Sequence, residues 1–303
     1  MTTAVFDAHY KILCERTIME HPLTTSELSA RKQTIARHFS QASQYDKHAH
    51  IQQQVCQHLL MSIDNTNQDS VLEVGAGTGQ LTQLLAAYVQ SERWSINELC
   101  EQQATHLQDL LPQAQILIGD AETMDLGNEH SLVISANAIQ WFDNPLSFIA
   151  QSASRLKPNG QLLLSTFTPD NFLQIKTLTG QGLRYPDINE WQSALDQAGF
   201  RHIKLSTRRF DVPFARPYDV LKHMKMTGVS TNQIHSNQIH SNQTCGKQTI
   251  GEHTSNTQPF VWTKTRLQAF EHDYWQQFSG IDEDGQPCVY LTYDVLMIDA
   301  RLP

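Results

Sequence analysis

Apolar residues along this chain fall in short blocks whose spacing switches between helical and extended periods. From Arg31 the period is helical, through Ile35, Phe39 and Tyr45, and again through Ile51, Val55, Leu59 and Leu60. A polar stretch at 65–69 precedes Val71, Leu72 and Val74, which read as a short buried strand. A helix follows from about Gln80, with Leu81, Leu84, Leu85 and Val89 on one side. Next come a strand at 94–98, a helix at 102–111 stopped by Pro112, and strands at 116–118 and 131–135. Pro145, whose fixed φ suits a first helical turn, opens a helix running to Leu156, and Lys157-Pro158-Asn159-Gly160 ends it before a strand at 161–167. A helix at 188–198, a strand at 202–210, a helix at 217–226 and a strand at 289–299 complete the pattern. Seven strands alternating with helices predict an α/β fold, a mostly parallel sheet with helices on both faces.

Two regions break the pattern. Residues 1–30 show no amphipathic period and read as a loosely ordered leader. Asn-Gln-Ile-His-Ser occurs twice from Asn232 and starts again at Asn242. Such a polar tract buries too little apolar surface to order itself, so 230–258 is expected to be a low-complexity insertion. No element is assigned between it and Val289. The expected organisation is a leader at 1–30 and a single domain at 31–303 that carries the insertion.

Composition narrows the class. The 303 residues contain no apolar run long enough to span a bilayer, and Asp7, Glu15 and Glu20 make the start unlike a secretory signal. Five dispersed cysteines without C-x-x-C spacing point to reduced thiols in a cytoplasm and away from a metal site. A net charge of −9 argues against nucleic-acid binding. Yet 201–225 holds seven Lys or Arg against Asp211 and Asp219, a local excess of five positive charges.

The chemistry concentrates at Val71-Leu72-Glu73-Val74-Gly75-Ala76-Gly77-Thr78-Gly79. A strand, a glycine turn and a helix N-terminus form a nucleotide-type corner, where Gly75, Gly77 and Gly79 let backbone approach a ligand. The spacing is G-x-G-x-G, not the dinucleotide G-x-G-x-x-G. Glu73 would repel a pyrophosphate and attract an ammonium or sulfonium, which favours S-adenosylmethionine over NAD. Glu98 ends the second strand and Asp120 follows the third, so three acids stand at successive carboxyl ends, where such sheets bind ligands. Glu98 is placed to accept from a ribose diol and Asp120 from an adenine amine.

This pattern resembles the class I S-adenosylmethionine-dependent methyltransferases. The likeness extends through Arg37-His38-Phe39-Ser40-Gln41-Ala42-Ser43-Gln44-Tyr45-Asp46, Asn137-Ala138-Ile139-Gln140-Trp141-Phe142, Leu156-Lys157-Pro158-Asn159-Gly160, Gly182-Leu183-Arg184-Tyr185-Pro186 and Leu221-Lys222-His223-Met224-Lys225-Met226-Thr227-Gly228. Together these segments are similar to the malonyl-[acyl-carrier protein] O-methyltransferases of biotin synthesis. The resemblance implies a Rossmann-like sheet with an antiparallel last strand, and cofactor contacts that include Ala121 and Asn137. It also implies methylation of the free carboxylate of a malonyl thioester on acyl-carrier protein. Ser131 stands where an Asp is commoner and Glu98 where an Asp is commoner; neither removes a group needed for methyl transfer.

A malonyl carboxylate is already ionised near neutral pH, so the reaction needs alignment and water exclusion, not a strong base. Within the resemblance, Arg184 is a candidate for bidentate carboxylate binding, Tyr45 for a lid, and Gln140, after the fourth strand, for the substrate site. Lys222 and Lys225, three apart on a helix, would with Arg208 or Arg209 steer an acidic carrier protein to the pocket mouth. No membrane or nucleic-acid partner and no metal are expected. The alternatives are a methyltransferase acting on a quinol or a free acid, and a non-catalytic binding module.

Overall fold

A computed structural model of the chain describes residues 28–40, 49–227 and 262–303. The expected insertion, nearly all of the expected leader, and Tyr45 lie outside the described residues.

Two helices, α1 (Ala30–Ser40) and α2 (His50–Met61), precede β1 (Asn67–Val74), α3 (Gln80–Tyr88) and β2 (Gln90–Glu98). A single 3-10 turn leads into α4 (Ala104–Leu110), followed by β3 (Gln115–Ile118), β4 (His130–Ser135), α5 (Ser147–Arg155) and β5 (Leu156–Phe167). The rest comprises α6 (Leu173–Thr179), α7 (Ile188–Gln197), β6 (Arg201–Phe214), α8 (Pro217–Met226), α9 (Lys264–Phe278), β7 (Ser279–Ile281) and β8 (Pro287–Arg301). The strands form one sheet in the order β3-β2-β1-β4-β5-β8-β6, with short β7 paired to β8. Strands β1 to β5 pair in parallel, while β8 runs antiparallel to both β5 and β6. The order reverses between β1 and β4, which is where sheets of this kind open a ligand crevice.

Successive strand residues face opposite ways, so one strand feeds two cores. Leu72 and Val74 join Val133, Phe148, Trp191 and Leu195 on one face, while Val71 joins Leu81, Leu85, Leu107 and Ile134 on the other. A third cluster gathers Phe167, Phe172, Tyr185, Val220, Met224, Phe270, Tyr274 and Tyr293 around the far part of β8.

Four differences from the sequence pattern have physical reasons. Strand β2 starts at Gln90 rather than Trp94, because its polar first residues pair with the equally polar start of β1, from Asn67↔Gln90 onward. Helix α5 ends at Arg155 and the next strand begins at Leu156, so Lys157 to Gly160 belong to an irregular strand start and not to a helix stop. There His130 pairs with Leu156 but Leu132 with Gln161, and a Cβ on Gly160 would lie 2.8 Å from the Lys157 carbonyl oxygen. Helix α6 is only seven residues long, too short to display a period. Helix α9 carries Phe270 and Tyr274 inward four residues apart, a signal the neighbouring polar tract obscures. The departure at Ser131 is local: its hydroxyl donates to the Ser70 carbonyl at 2.9 Å and accepts from the Ser70 amide at 3.1 Å.

Candidate active site

At the carboxyl ends of β1, β2 and β4 lies a cavity of about 950 Å³ counted to its open mouth. Its walls include Glu73, Gly75, Gly77, Glu98, Asp120, Ala121 and Asn137, all expected from the sequence. Gly79 is set back. A Cβ there would meet Leu110 Cδ1 at 2.3 Å, and one on Gly75 would meet Ala138 Cβ at 2.4 Å, so both are glycine because neighbours pack against them. Gly77 differs: at φ +57 a Cβ would meet no protein atom within 4 Å and would stand in the open space of the cavity. It is a cradle position, where a side chain would take the room of a ligand.

The corner is held by hydrogen bonds. Gly77 N–H donates to Glu98 Oε2 at 2.7 Å and Cys100 N–H to Glu98 Oε1 at 2.9 Å. Each oxygen thus keeps a further acceptor site for a ligand hydroxyl. Burial pushes the Glu98 carboxyl up, against the pull of these amides. Glu73 is 1% exposed, and burial raises its pKa to about 8; the Thr82 hydroxyl, donating at 2.8 Å, opposes this and the nearby Glu98 charge adds to it. Two buried acids beside an open cavity form an environment suited to a cationic, diol-bearing guest.

Asp120 has a partner the sequence gave no sign of. Lys32, 4% exposed on α1, donates to Asp120 Oδ2 at 2.5 Å and to Glu122, and lines the cavity with Ile35 and Ala36. Burial works to lower the Lys32 pKa, but hydrogen bonds to the two carboxylates outweigh it and hold the ammonium charged. Arg31 beside it binds Asp143 Oδ1 at 2.6 Å and the Trp141 carbonyl at 3.0 Å. Asp120 therefore meets a ligand already neutralised, with acceptor capacity left over.

A second, smaller cavity adjoins the first through Asn137 and Trp141, which line both. Asn137 sits at φ 55, in the left-handed region that asparagine tolerates. Gln140 lines this inner cavity and donates from Nε2 to the Asn137 carbonyl at 2.6 Å. Arg184 is exposed and lines neither of these two cavities, whereas its neighbour Tyr185 is buried and lines the inner one. The structure thus does not bring Arg184 together with the other residues expected at the substrate site. Gln52 and Tyr293 were given no role from sequence, since each is an ordinary residue of an amphipathic element; Tyr185 and Thr227 fall in the segments that carry the resemblance but were assigned no role there.

Of the proposed docking residues, Arg208, Lys222 and Lys225 are exposed and make no ion pair among the described residues, while Arg209 binds Asp211 at 3.0 Å. Lys222 and Lys225 lie on α8, whose following residue Thr227 lines the inner cavity. Among the described residues no helix is long and apolar enough to cross a membrane.

The sheet order and an acid-floored cavity at the switch point define a class I methyltransferase. A family model described as a methyltransferase domain matches residues 45–205. The fold is similar to that of a putative methyltransferase from Bacillus halodurans, with a TM-score of 0.51 at 21% identity, over 82% of this chain and 98% of that one. The chain is 35% identical over 282 residues to the malonyl-[acyl-carrier protein] O-methyltransferase of Haemophilus influenzae, across 90% of this chain and 95% of that protein. It is 37% identical over 278 residues to the enzyme of the same name from Haemophilus ducreyi, across 88% and 95%. The chain belongs to the malonyl-[acyl-carrier protein] O-methyltransferase family.

Proposed function

We propose that the protein transfers a methyl group from S-adenosylmethionine to the free carboxylate of a malonyl thioester on acyl-carrier protein. The observation that carries this reading is the pair of adjoining cavities that share Asn137 and Trp141. One has the acids and the glycine cradle for a cationic nucleoside; the other has neutral polar groups for an acyl end. Glu98 would hold the ribose, Asp120 and Ala121 the base, and Glu73, beside the glycine turn, would favour the positively charged end. The cofactor supplies a methyl on a sulfonium sulfur, so the carboxylate oxygen forms the new O–C bond as the C–S bond breaks with its electron pair left on sulfur.

No proton is released in that exchange, and no residue need act as a base. The chain's work is to align the acceptor, exclude water and keep the carboxylate desolvated. Apolar walls from Trp141, Phe167 and Phe172 serve the last two ends. Arg208, Lys222 and Lys225, exposed and without an ion pair among the described residues, suit an acidic carrier protein as the vehicle. A product bound for biotin synthesis and a cytoplasmic location fit the same reading. Three described cysteines, Cys56, Cys100 and Cys288, are free thiols.

The test is a labelled-methyl transfer assay with malonyl-carrier protein, malonyl-coenzyme A and free malonate offered in parallel. Transfer fastest on the carrier substrate is the expected result. Transfer to free acids or quinols at equal or greater efficiency would remove the carrier protein from the assignment.

A further inference from the structure

The inner cavity lies in the third core cluster, yet it is not filled as a core is filled. About 360 Å³ of space is bounded by Gln52, Gln140, Tyr185, Thr227 and Tyr293 together with aromatic rings. Gln52 is 7% exposed, and its side-chain oxygen has no hydrogen-bond partner among the described residues; nor has the Gln140 oxygen. Buried polar atoms without partners are rare and call for an explanation, and a polar guest is one.

At Tyr185 the hydrogen-bond polarity is set by a backbone group that cannot reverse roles. The backbone N–H of Asp294 donates to Asn171 Oδ1 at 3.2 Å, which makes the other end of that amide its donor. Asn171 Nδ2 donates in turn to the Tyr185 hydroxyl at 3.3 Å. The Tyr185 oxygen is thus an acceptor, and its own proton has no acceptor among the described residues. Tyr293 stands beside it, 1% exposed, with its hydroxyl 2.7 Å from His223 Nε2 on α8. Phe167 packs on both tyrosines' rings, 5.8 Å from Tyr185 and 6.3 Å from Tyr293, and Phe172 packs on Tyr293 at 4.9 Å, which fixes the rings in place. Burial pushes both phenols well above their ordinary range, so both remain neutral hydroxyls able to donate.

We propose that the inner cavity is the subsite for the reacting acyl carboxylate, held by the hydroxyls of Tyr185 and Tyr293, with His223 as the positioning residue that orients Tyr293. The inference deepens the function proposed above and rests on it for the identity of the acyl group. A carboxylate is an acceptor at both oxygens and matches two convergent O–H donors. Hydrogen bonds to a charged group are about twice as strong as neutral ones, so hydroxyls suffice to hold an anion without neutralising it. That distinction matters for the chemistry: an arginine ion pair would draw electron density from the attacking oxygen, whereas two phenols leave it nucleophilic. Gln140 is locked as an acceptor by its bond to the Asn137 carbonyl, which suits an amide N–H of the guest. A malonyl thioester on a pantetheine arm carries a carboxylate and such an amide; free malonate carries no amide.

The experiment compares the wild type with Tyr185→Phe, Tyr293→Phe, His223→Gln, His223→Leu and the Tyr293→Phe/His223→Leu pair. Four quantities are measured: melting temperature, affinity for the demethylated cofactor, affinity for malonyl-coenzyme A with that cofactor bound, and kcat/KM on malonyl-carrier protein. Each Phe variant is expected to lose about tenfold or more in acyl affinity and in kcat/KM while cofactor affinity stays unchanged. His223→Gln, which keeps an N–H donor, is expected to lose less than His223→Leu. The double variant is expected to be no worse than Tyr293→Phe alone, because His223 acts through that hydroxyl. Folded Phe variants with wild-type acyl affinity, or losses that add in the double variant, would overturn the assignment. If removing the Tyr293 hydroxyl prevents folding, the half-buried His223 variants and Tyr185→Phe decide the question. Should the wild type prefer a free acid to the carrier substrate, losses on that acid in the same variants would uphold the carboxylate subsite while the carrier reading fell.

Discussion

On one side of Asn137 the strands β1 to β4 run parallel, and their carboxyl ends present Glu73, Glu98 and Asp120 to one cavity. On the other side, β5, β8 and β6 alternate in direction, and the second cavity is lined from α2, the 3-10 turn at Ile139–Trp141, the segment before α7, the end of α8 and β8. The side proposed for the cofactor is built by repetition: β1, β2 and β3 end at the same level of the sheet, and each contributes an acid at or just beyond its carboxyl end. The acceptor side is built by convergence, with residues as far apart as Gln52 and Tyr293 meeting across the sheet. Repetition writes a compact motif into the chain. Convergence does not.

The contrast is tested most severely at Gly77. Its would-be Cβ touches no protein atom, so Gly77→Val adds bulk only to the ligand's space, though φ +57 adds backbone strain. Cofactor affinity is expected to fall beyond detection by calorimetry while the chain still unfolds cooperatively. Gly75→Val and Gly79→Val should instead destabilise the fold, through clashes with Ala138 and Leu110. If Gly77→Val retains near-native affinity, the cavity is not the cofactor site.

Glu98→Ala comes next. It removes the proposed ribose acceptors and also the anchors of the Gly77 and Cys100 amides. Losing a charged hydrogen-bond partner is worth roughly 1.5–3 kcal/mol, so affinity should drop by about one to two orders of magnitude. Glu98→Gln, which keeps one acceptor, should fall between Ala and wild type. An unchanged dissociation constant in both would show that another residue holds the ribose.

The same asymmetry explains what was legible from sequence alone. Glycines and acids at strand ends declare themselves because spacing and charge are local properties, and seven of the eight residues the sequence offers for the cofactor, from Glu73 to Asn137, line the first cavity. Gly79 proved to be a packing residue one step behind the wall, a distinction only the Leu110 contact reveals. Charge alone points to Arg184 as the partner of a carboxylate, but Arg184 is exposed and its neighbour Tyr185 is buried, an alternation the local sequence does not reveal. Lys32 was invisible, since its acidic partners lie about ninety residues on and no helical pattern flags a lysine on an inward face. Tyr293 and His223 looked like ordinary members of a strand and a helix. The mostly parallel sheet followed from the alternation of elements, while its strand order had no signal in hydropathy, and the polar start of β2 and the short α6 offered none to read.

Glu73 sharpens the electrostatic half of the comparison. Its carboxyl is raised from 4.5 to about 8, so between those values the native state without cofactor binds a proton that the unfolded chain has released. Stability should therefore be fullest below about pH 4.5 from this group and decline as pH rises through about 8. A cationic guest favours the carboxylate, so its affinity should rise with pH over the same window, by at most about tenfold per unit. S-adenosylmethionine should show a steeper rise than its demethylated product, which lacks the sulfonium charge. Glu73→Gln should flatten both. Calorimetry in buffers of different ionisation enthalpy reads the proton release directly, and its absence in wild type would mean that Glu73 is already ionised.

The smallest effect is expected at the outer face of the acceptor side. Lys222 and Lys225 are exposed and unpaired among the described residues, and they share a face of α8. Exposed charges act on encounter, and salt screens them over about 10 Å at 0.1 M. Lys222→Glu with Lys225→Glu should lower kcat/KM on malonyl-carrier protein severalfold at low ionic strength, with the deficit shrinking as salt is added. Malonyl-coenzyme A, which carries no protein surface, should be used nearly as before, and cofactor affinity should not move. This pattern separates steering from the inner hydroxyls, whose loss should weaken both thioesters alike and show little salt dependence. Equal losses on carrier protein and coenzyme A for the lysine pair would assign them to the pocket or the fold. An undiminished rate on the carrier substrate would leave α8's outer face as solvated charge and move the docking surface elsewhere, with exposed Arg208 on β6 the next residue to reverse.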